Sequence, residues 1–336
     1  MRSFALLKQG SGMITDYKKY LDPKVISRLQ NLELKAKLVV EGFIAGLHKS
    51  PYHGFSVEFA EHRQYMPGDD LKYLDWKVLG RTDRYYIKQY EEETNLKSYL
   101  IVDASKSMSF ASADSELKSP ISTFRRLFKK SENGSGKVSS ITKLEYSTYL
   151  AASLAVLMYF QKDATGLVIY DELLRSFLAP KATSMNLKLL LTQLAAITPS
   201  GKTNTASALN TVAERIKRRG LVIVFSDLFD EQNKVINALK HFRHKKNEVI
   251  VFQILDPLEM NFAIDSPTIF KDIETNKELL SQPISIINSY KEAVQEFLDK
   301  YKKAFLSNNI DYVFMSTENP FDTGLLAYLN KRKKLH

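Results

Sequence analysis

The chain of 336 residues contains no cysteine. That excludes disulfide scaffolding, thiolate metal sites and cysteine nucleophiles, and it fits a reducing compartment. The usual catalytic signatures are missing as well: neither H-E-x-x-H nor G-x-S-x-G occurs, and no G-x-G-x-x-G opens a helix after a strand. Ser135-Gly136-Lys137 looks like part of a phosphate-binding loop, but Val138 stands where Ser or Thr is required, and the earlier glycine is missing. His241 and His244 lie in a run rich in Lys and Arg, which reads as a solvated helix end rather than a metal pair. Long apolar runs are absent too. The longest, residues 150–160, falls short of the ~20 residues that span a bilayer, so no membrane span is expected. The patch at residues 4–7 is too short for a secretory core, and a cytoplasmic protein is expected.

What is present describes an ordinary globular chain, 44% hydrophobic and 26% charged. The net charge of +10 would suit an anionic partner. Its distribution argues otherwise, because the basic clusters 217–219, 241–246 and 331–334 close helical patterns, where cations complement the helix dipole. No stripe of Lys or Arg interleaved with aromatics appears, so no nucleic-acid partner is expected.

From Asp22-Pro23 a helix is expected to about residue 47, followed by strand-like pieces at 55–59 and 84–90 around the turn Pro67-Gly68-Asp69-Asp70. Residues 1–95 therefore read as a helical lead-in plus a small β-rich unit. This unit gathers Glu58, Glu61, Arg63, Asp69, Asp70, Asp75, Lys77 and Arg81 beside the only tryptophan, Trp76. Near balance of acid and base favours a salt-bridged knot over a catalytic cluster, since buried charges persist when paired.

From residue 96 to 336 the pattern alternates strand and helix. Strands are expected at 99–102, 166–170, 173–178, 221–225, 248–255 and 311–315, with helices at 144–162, 185–197, 204–219, 231–245, 287–306 and 320–330. Asp171-Glu172 reads as a hairpin turn, and residues 268–282 as a β-hairpin excursion. Strand, helix and strand in turn imply a doubly wound α/β domain with a mostly parallel sheet. About thirty residues, 109–141, separate the loop after the first strand from the helix that follows, which is long for a loop. They carry an amphipathic stretch, Ile121, Phe124, Leu127 and Phe128, that suits either a docking helix or a surface loop.

The stretch Leu100-Ile101-Val102-Asp103-Ala104-Ser105-Lys106-Ser107 organises the domain. An apolar strand delivers an aspartate and two alternate hydroxyls into a loop, and such oxygens suit a hard divalent cation. Gly201-Lys202-Thr203 before a helix, and Val222-Ile223-Val224-Phe225-Ser226-Asp227 at the end of another strand, would converge on the same carboxyl edge. Lys106 should point outward from its alternate position.

In this order the residues resemble the metal-ion-dependent adhesion site of von Willebrand factor A-like domains. The segments Val57 to Arg63, Pro67-Gly68-Asp69-Asp70, Leu74-Asp75-Trp76-Lys77, Tyr90-Glu91-Glu92-Glu93-Thr94 and Thr142-Lys143-Leu144-Glu145-Tyr146 sharpen the likeness. Together they are similar to a bacterial family of unknown biochemical function, DUF fifty-eight, often associated with MoxR-type AAA+ ATPases. The resemblance implies a Mg2+ or Mn2+ site in which Asp103, Ser105 and Ser107 hold the ion directly or through water. Thr203 would add a hydroxyl, and Asp227 would act from the second strand. It implies a non-enzymatic adaptor that captures a partner protein through an acidic residue and works with such an ATPase. Asp227 is followed by Leu228, where many such domains have glycine. The rival readings are a metal-dependent hydrolase built on the N-terminal acidic cluster, and a basic scaffold for nucleic acid or anionic membrane.

Overall fold

The structure is a computed structural model that describes residues 22–23, 31–49, 62–64, 79–81, 85–88, 96–112, 141–201, 203–261, 268–271, 278–281 and 283–335. Helix α1 spans Leu32–Lys49, and strands β1 (His62–Gln64) and β2 (Tyr86–Lys88) pair antiparallel. The expected single helix from Pro23 is interrupted at Asn31, which is not helical. Its carboxamide oxygen accepts from the backbone N–H groups of Glu33 at 2.8 Å and Leu34 at 3.4 Å, so this asparagine starts α1 as an N-cap. Residues 55–59, one expected strand, lie outside the described residues, as does the expected amphipathic stretch within 113–140.

The main domain follows the order β3 (Lys97–Asp103), α2 (Lys143–Phe160), β4 (Ala164–Tyr170), β5 (Leu174–Lys181), α3 (Ser184–Ala195), α4 (Thr205–Arg215), β6 (Leu221–Ser226), α5 (Gln232–His244), β7 (Glu248–Leu255), α6 (Pro257–Asn261), β8 (Thr268–Lys271), β9 (Glu278–Ser281), α7 (Pro283–Ser307), β10 (Asp311–Ser316) and α8 (Asp322–Leu335). Its six-stranded sheet runs β10-β7-β6-β3-β4-β5. Every neighbouring pair is parallel except β4 and β5, which form an antiparallel hairpin. This is the doubly wound order in which the chain winds outward from β3 in both directions. Strands β8 and β9 pair as a separate antiparallel hairpin.

Period-two alternation divides the strands between two cores. Leu100, Val102, Leu167, Ile169, Ile223, Phe225, Ile250 and Phe252 face one side, where α2 lies between the sheet and its neighbours. Tyr99, Ile101, Val168, Val222, Val224, Val249 and Val251 face the other, against Leu209 and Val212 of α4, Leu239 and Phe242 of α5, and Tyr301 and Phe305 of α7. Helix α2 starts at a capping box: Thr142 Oγ1 accepts from Glu145 N, and Glu145 Oε2 accepts from Thr142 N. Its residues from Lys143 to Met158 are all buried except Glu145 of the capping box, as a helix packed on nearly all sides requires. Each of its leucines contributes about 1.5–3 kcal/mol of burial.

Helix α1 belongs to this same core. Ala36, Val39, Val40 and Phe43 are buried in it, and Lys35 Nζ donates to Tyr149 OH of α2 at 2.7 Å. Two further expectations are corrected. Helix α4 ends at Arg215, so the cluster 217–219 lies in the connection to β6 rather than in a last helical turn. On α7, the apolar side chains at 290, 293, 294, 297, 301, 304 and 305 are spaced to share one helix face, yet Ala293 is exposed while Tyr301 and Phe305 are buried. Lys331 pairs with Glu248 at 2.6 Å and Asp311 at 3.0 Å, so part of the C-terminal basic run ties α8 to the sheet. Among the described residues no helix is long and apolar enough to cross a membrane.

Candidate metal centre at the carboxyl edge

The strand β3 ends in Asp103, which is fully buried. Its Oδ1 accepts from Ser105 N at 2.9 Å, and its Oδ2 accepts from Ser226 Oγ at 2.7 Å and Tyr170 OH at 3.2 Å. The carboxylate is thus gripped from three strand ends and cannot swing. Beyond it, Ala104 N donates to Tyr170 O, and Ser200 N donates to Ala104 O, which knits the β3 loop to the segment before α4. A single 3-10 turn at Lys106–Ser109 follows, anchored by buried Met108. Lys106 is exposed, as its alternate position requires.

Three hydroxyls line up beside this carboxylate. Ser105 Oγ lies 3.0 Å from Ser107 Oγ, which lies 3.5 Å from Thr203 Oγ1. Adjacent oxygens of an octahedral Mg2+ shell, with bonds near 2.1 Å, stand about 3 Å apart. The first spacing matches, and the second needs a shift of about half an ångström, so these residues fit such an ion. Thr203 is placed by Gly201, whose φ of +70° lies in the left-handed region. A Cβ there would come within 3.1 Å of Asp171 Cγ. Asp171 itself accepts from Ser200 Oγ at 3.1 Å and fixes the loop from beneath.

Asp227 follows β6 and is also fully buried. Its Oδ1 accepts from Phe229 N at 3.1 Å, and its backbone carbonyl accepts from Gln253 Nε2 at 3.0 Å. Leu228 adopts φ +59°, the conformation glycine would take without strain. Its side chain is buried, its N–H donates to Ser226 Oγ at 2.9 Å, and its carbonyl accepts from Tyr301 OH at 3.0 Å. Packing and two hydrogen bonds therefore hold the strained residue at this positive φ.

The structure brings Asp103, Ser105, Ser107 and Thr203 together, with Asp227 close enough to act electrostatically on Asp103. Burial pushes the Asp103 carboxyl up to about 6, with Asp227 adding to the rise, against hydrogen bonds from Ser226 and Ser105. Burial also raises Tyr170, and the Asp103 charge raises it further.

Sequence reasoning missed two residues here. Lys143, the first residue of α2, is fully buried and donates from Nζ to Asp227 Oδ2 at 2.8 Å and to Glu259 Oε1 of α6 at 2.6 Å. Phe229 covers the ammonium, with its ring centroid 4.9 Å away. Burial works against the charged form of Lys143, yet Asp227 and Glu259 outweigh it and raise its pKa. Burial raises Glu259 despite the opposing pull of Lys143. A signal did exist: a cation in the first turn of an apolar helix opposes the dipole, so a lysine there calls for a carboxylate partner.

The two flanks of residues 113–140 meet beside this cluster. Lys143 N donates to Phe110 O at 3.2 Å, and Ser112 donates from N and Oγ to Asp256 Oδ2 at 2.9 and 3.1 Å. Asp256 N in turn donates to Glu259 Oε2. His241 and His244 both lie in the last turn of α5, and His241 Nδ1 lies 3.2 Å from Asn210 Oδ1. Of the N-terminal charged cluster only Arg63 and Arg81 are among the described residues, and Arg81 is exposed. Among the described residues no three His, Cys, Asp or Glu side chains gather as metal ligands. The candidate centre relies instead on hydroxyls.

An open sheet wound outward from β3, with carboxylates and hydroxyls gathered at its carboxyl edge, defines a doubly wound α/β domain. The chain matches the family described as protein of unknown function DUF58 over residues 61–124 and 126–296, and it belongs to that family. Two uncharacterized proteins, Rv1480 of Mycobacterium tuberculosis and Mb1516 of Mycobacterium bovis, are each 24% identical over 259 residues, covering 76% of this chain and 72% of theirs. Similar solved structures include the conserved hypothetical protein BatB from Bacteroides thetaiotaomicron, with TM-score 0.43, 14% identity, and coverage of 71% of this chain and 99% of that one. A von Willebrand factor type A protein from Catenulispora acidiphila has TM-score 0.30 and 11% identity, with 59% and 42% covered.

Proposed function

We propose that this chain is a non-enzymatic protein-interaction module that presents a divalent ion, Mg2+ or Mn2+, to an acidic side chain of a partner protein. The observation that carries the reading is the convergence of three distant segments: Asp103 with Ser105 and Ser107, then Thr203, then Asp227 meet at one carboxyl edge. A bound ion would supply positive charge and an exchangeable ligand position. The protein supplies the rest. Ser226 and Tyr170 orient Asp103, Gly201 and Asp171 set the height of Thr203, and exposed Lys106 stands clear of the hydroxyls.

The reading extends to a cytoplasmic adaptor for a MoxR-type AAA+ ATPase in assembly or maturation of complexes. Support for that partner is the family resemblance. The test is affinity capture by the full chain of a MoxR-type ATPase from the same cell, in Mg2+ and in EDTA. Capture should require the ion and disappear in Asp103→Ala, with the circular dichroism spectrum of the variant unchanged. Equal capture in EDTA overturns the reading.

A further inference from the structure

We infer that Lys143 sets how tightly this edge holds a divalent ion, by taking Asp227 out of the ion's reach. The inference rests on the metal-site reading above and goes beyond it. The ammonium is fully buried, 2.8 Å from Asp227 Oδ2 and 2.6 Å from Glu259 Oε1, and Phe229 lies across it. Both Asp227 oxygens are engaged, one by this ammonium and the other by Phe229 N.

The charges of the cluster bear this out. Asp103, Asp227 and Glu259 carry three negative charges and Lys143 one positive, so the whole cluster sums to the charge that one divalent ion neutralises. The distribution is uneven. Lys143 claims Asp227 and Glu259 as a pair, and the hydroxyl side keeps Asp103 as its one carboxylate. An ion held by one carboxylate and three neutral hydroxyls is held loosely and retains room for a partner's carboxylate. Lys143 is thus a positioning residue: it sits where a second cation would sit and keeps the site dependent on the partner for its remaining negative charge.

The test measures Mn2+ binding to the full chain by electron paramagnetic resonance of the free ion. Lys143→Met leaves two buried carboxylates without their counter-ion and risks the fold. The double variant Lys143→Met with Glu259→Gln lessens this, because only Asp227 then lacks its counter-ion and its cluster keeps the wild-type net charge while Asp227 is freed. Thermal unfolding with and without Mn2+ checks its fold. We expect the double variant to bind Mn2+ at least ~10-fold tighter than the wild type, as release of a nearby full charge allows, and to gain more thermal stability from Mn2+. Glu259→Gln alone, which leaves the ammonium on Asp227, should bind no tighter than the wild type. Wild-type binding that is lost in Asp103→Asn but unchanged in the double variant overturns the role of Lys143 and leaves the metal site standing. No binding in any of these proteins overturns both.

Discussion

Replacing Asp103 by Asn should make the ion-free protein more stable at neutral pH while destroying its response to metal. The carboxyl is raised from 3.8 to about 6 in the folded chain. A gap of about two pH units corresponds to about 3 kcal/mol lost on folding with the group ionised. The sign follows from proton uptake. Between about pH 4 and pH 6 the folded chain holds a proton that the unfolded chain has released, so stability falls as pH rises through this window, and the full loss persists above it. Asparagine removes the charge but cannot accept at both oxygen positions. It forfeits one of the bonds from Ser105 N, Ser226 Oγ and Tyr170 OH, at about 1 kcal/mol. The net expectation is a gain of about 1–2 kcal/mol at pH 8 in EDTA, shrinking to nothing or reversing near pH 4.5. Urea unfolding of both proteins at the two pH values measures it. With saturating Mg2+ at pH 8 the order should turn over, since only the wild type gains. A variant less stable at pH 8 in EDTA, or a difference that ignores pH, would refute the burial argument.

Two other perturbations read features around the site. At Leu228, with φ +59° and a buried side chain, truncation to Ala should cost about 2–5 kcal/mol. Gly, which elsewhere loses a further 0.5–1 kcal/mol, should here be no worse than Ala because it takes this backbone without strain; chemical denaturation giving the ordinary order would remove the strain argument. Ser98 of β3 is buried, and its hydroxyl has no hydrogen-bond partner among the described residues. Ser98→Ala should therefore leave stability unchanged or raise it by up to about 1 kcal/mol, and a loss above that in a thermal melt would reveal a bond.

The sheet was legible because buried parallel strands must be continuous apolar runs, and 221–225 or 248–255 admit no other reading. The loop oxygens were legible because alternation after Asp103 forces Ser105 and Ser107 to one side. The charge arrangement was hidden. Lys143 and Glu259 are 116 residues apart, Glu259 sits on the five-residue helix α6, and nothing local distinguishes that glutamate from a surface one. The break at Asn31 was missed since the helical periodicity continues across it; only the capping chemistry of asparagine marks the restart. Leu228 drew notice as the wrong residue for its place, and its backbone shows why glycine would be the easier choice.

The position of α1 bears on how the chain can be divided. A cut at residue 95 follows a visible change in sequence pattern, yet it would take away the side chains of Ala36, Val39, Val40 and Phe43 that fill the outer surface of α2. Helix α1 is therefore a keystone of the core it joins rather than an appendage. Trimming the chain at that point would uncover an apolar trench along its central helix and leave a sticky fragment.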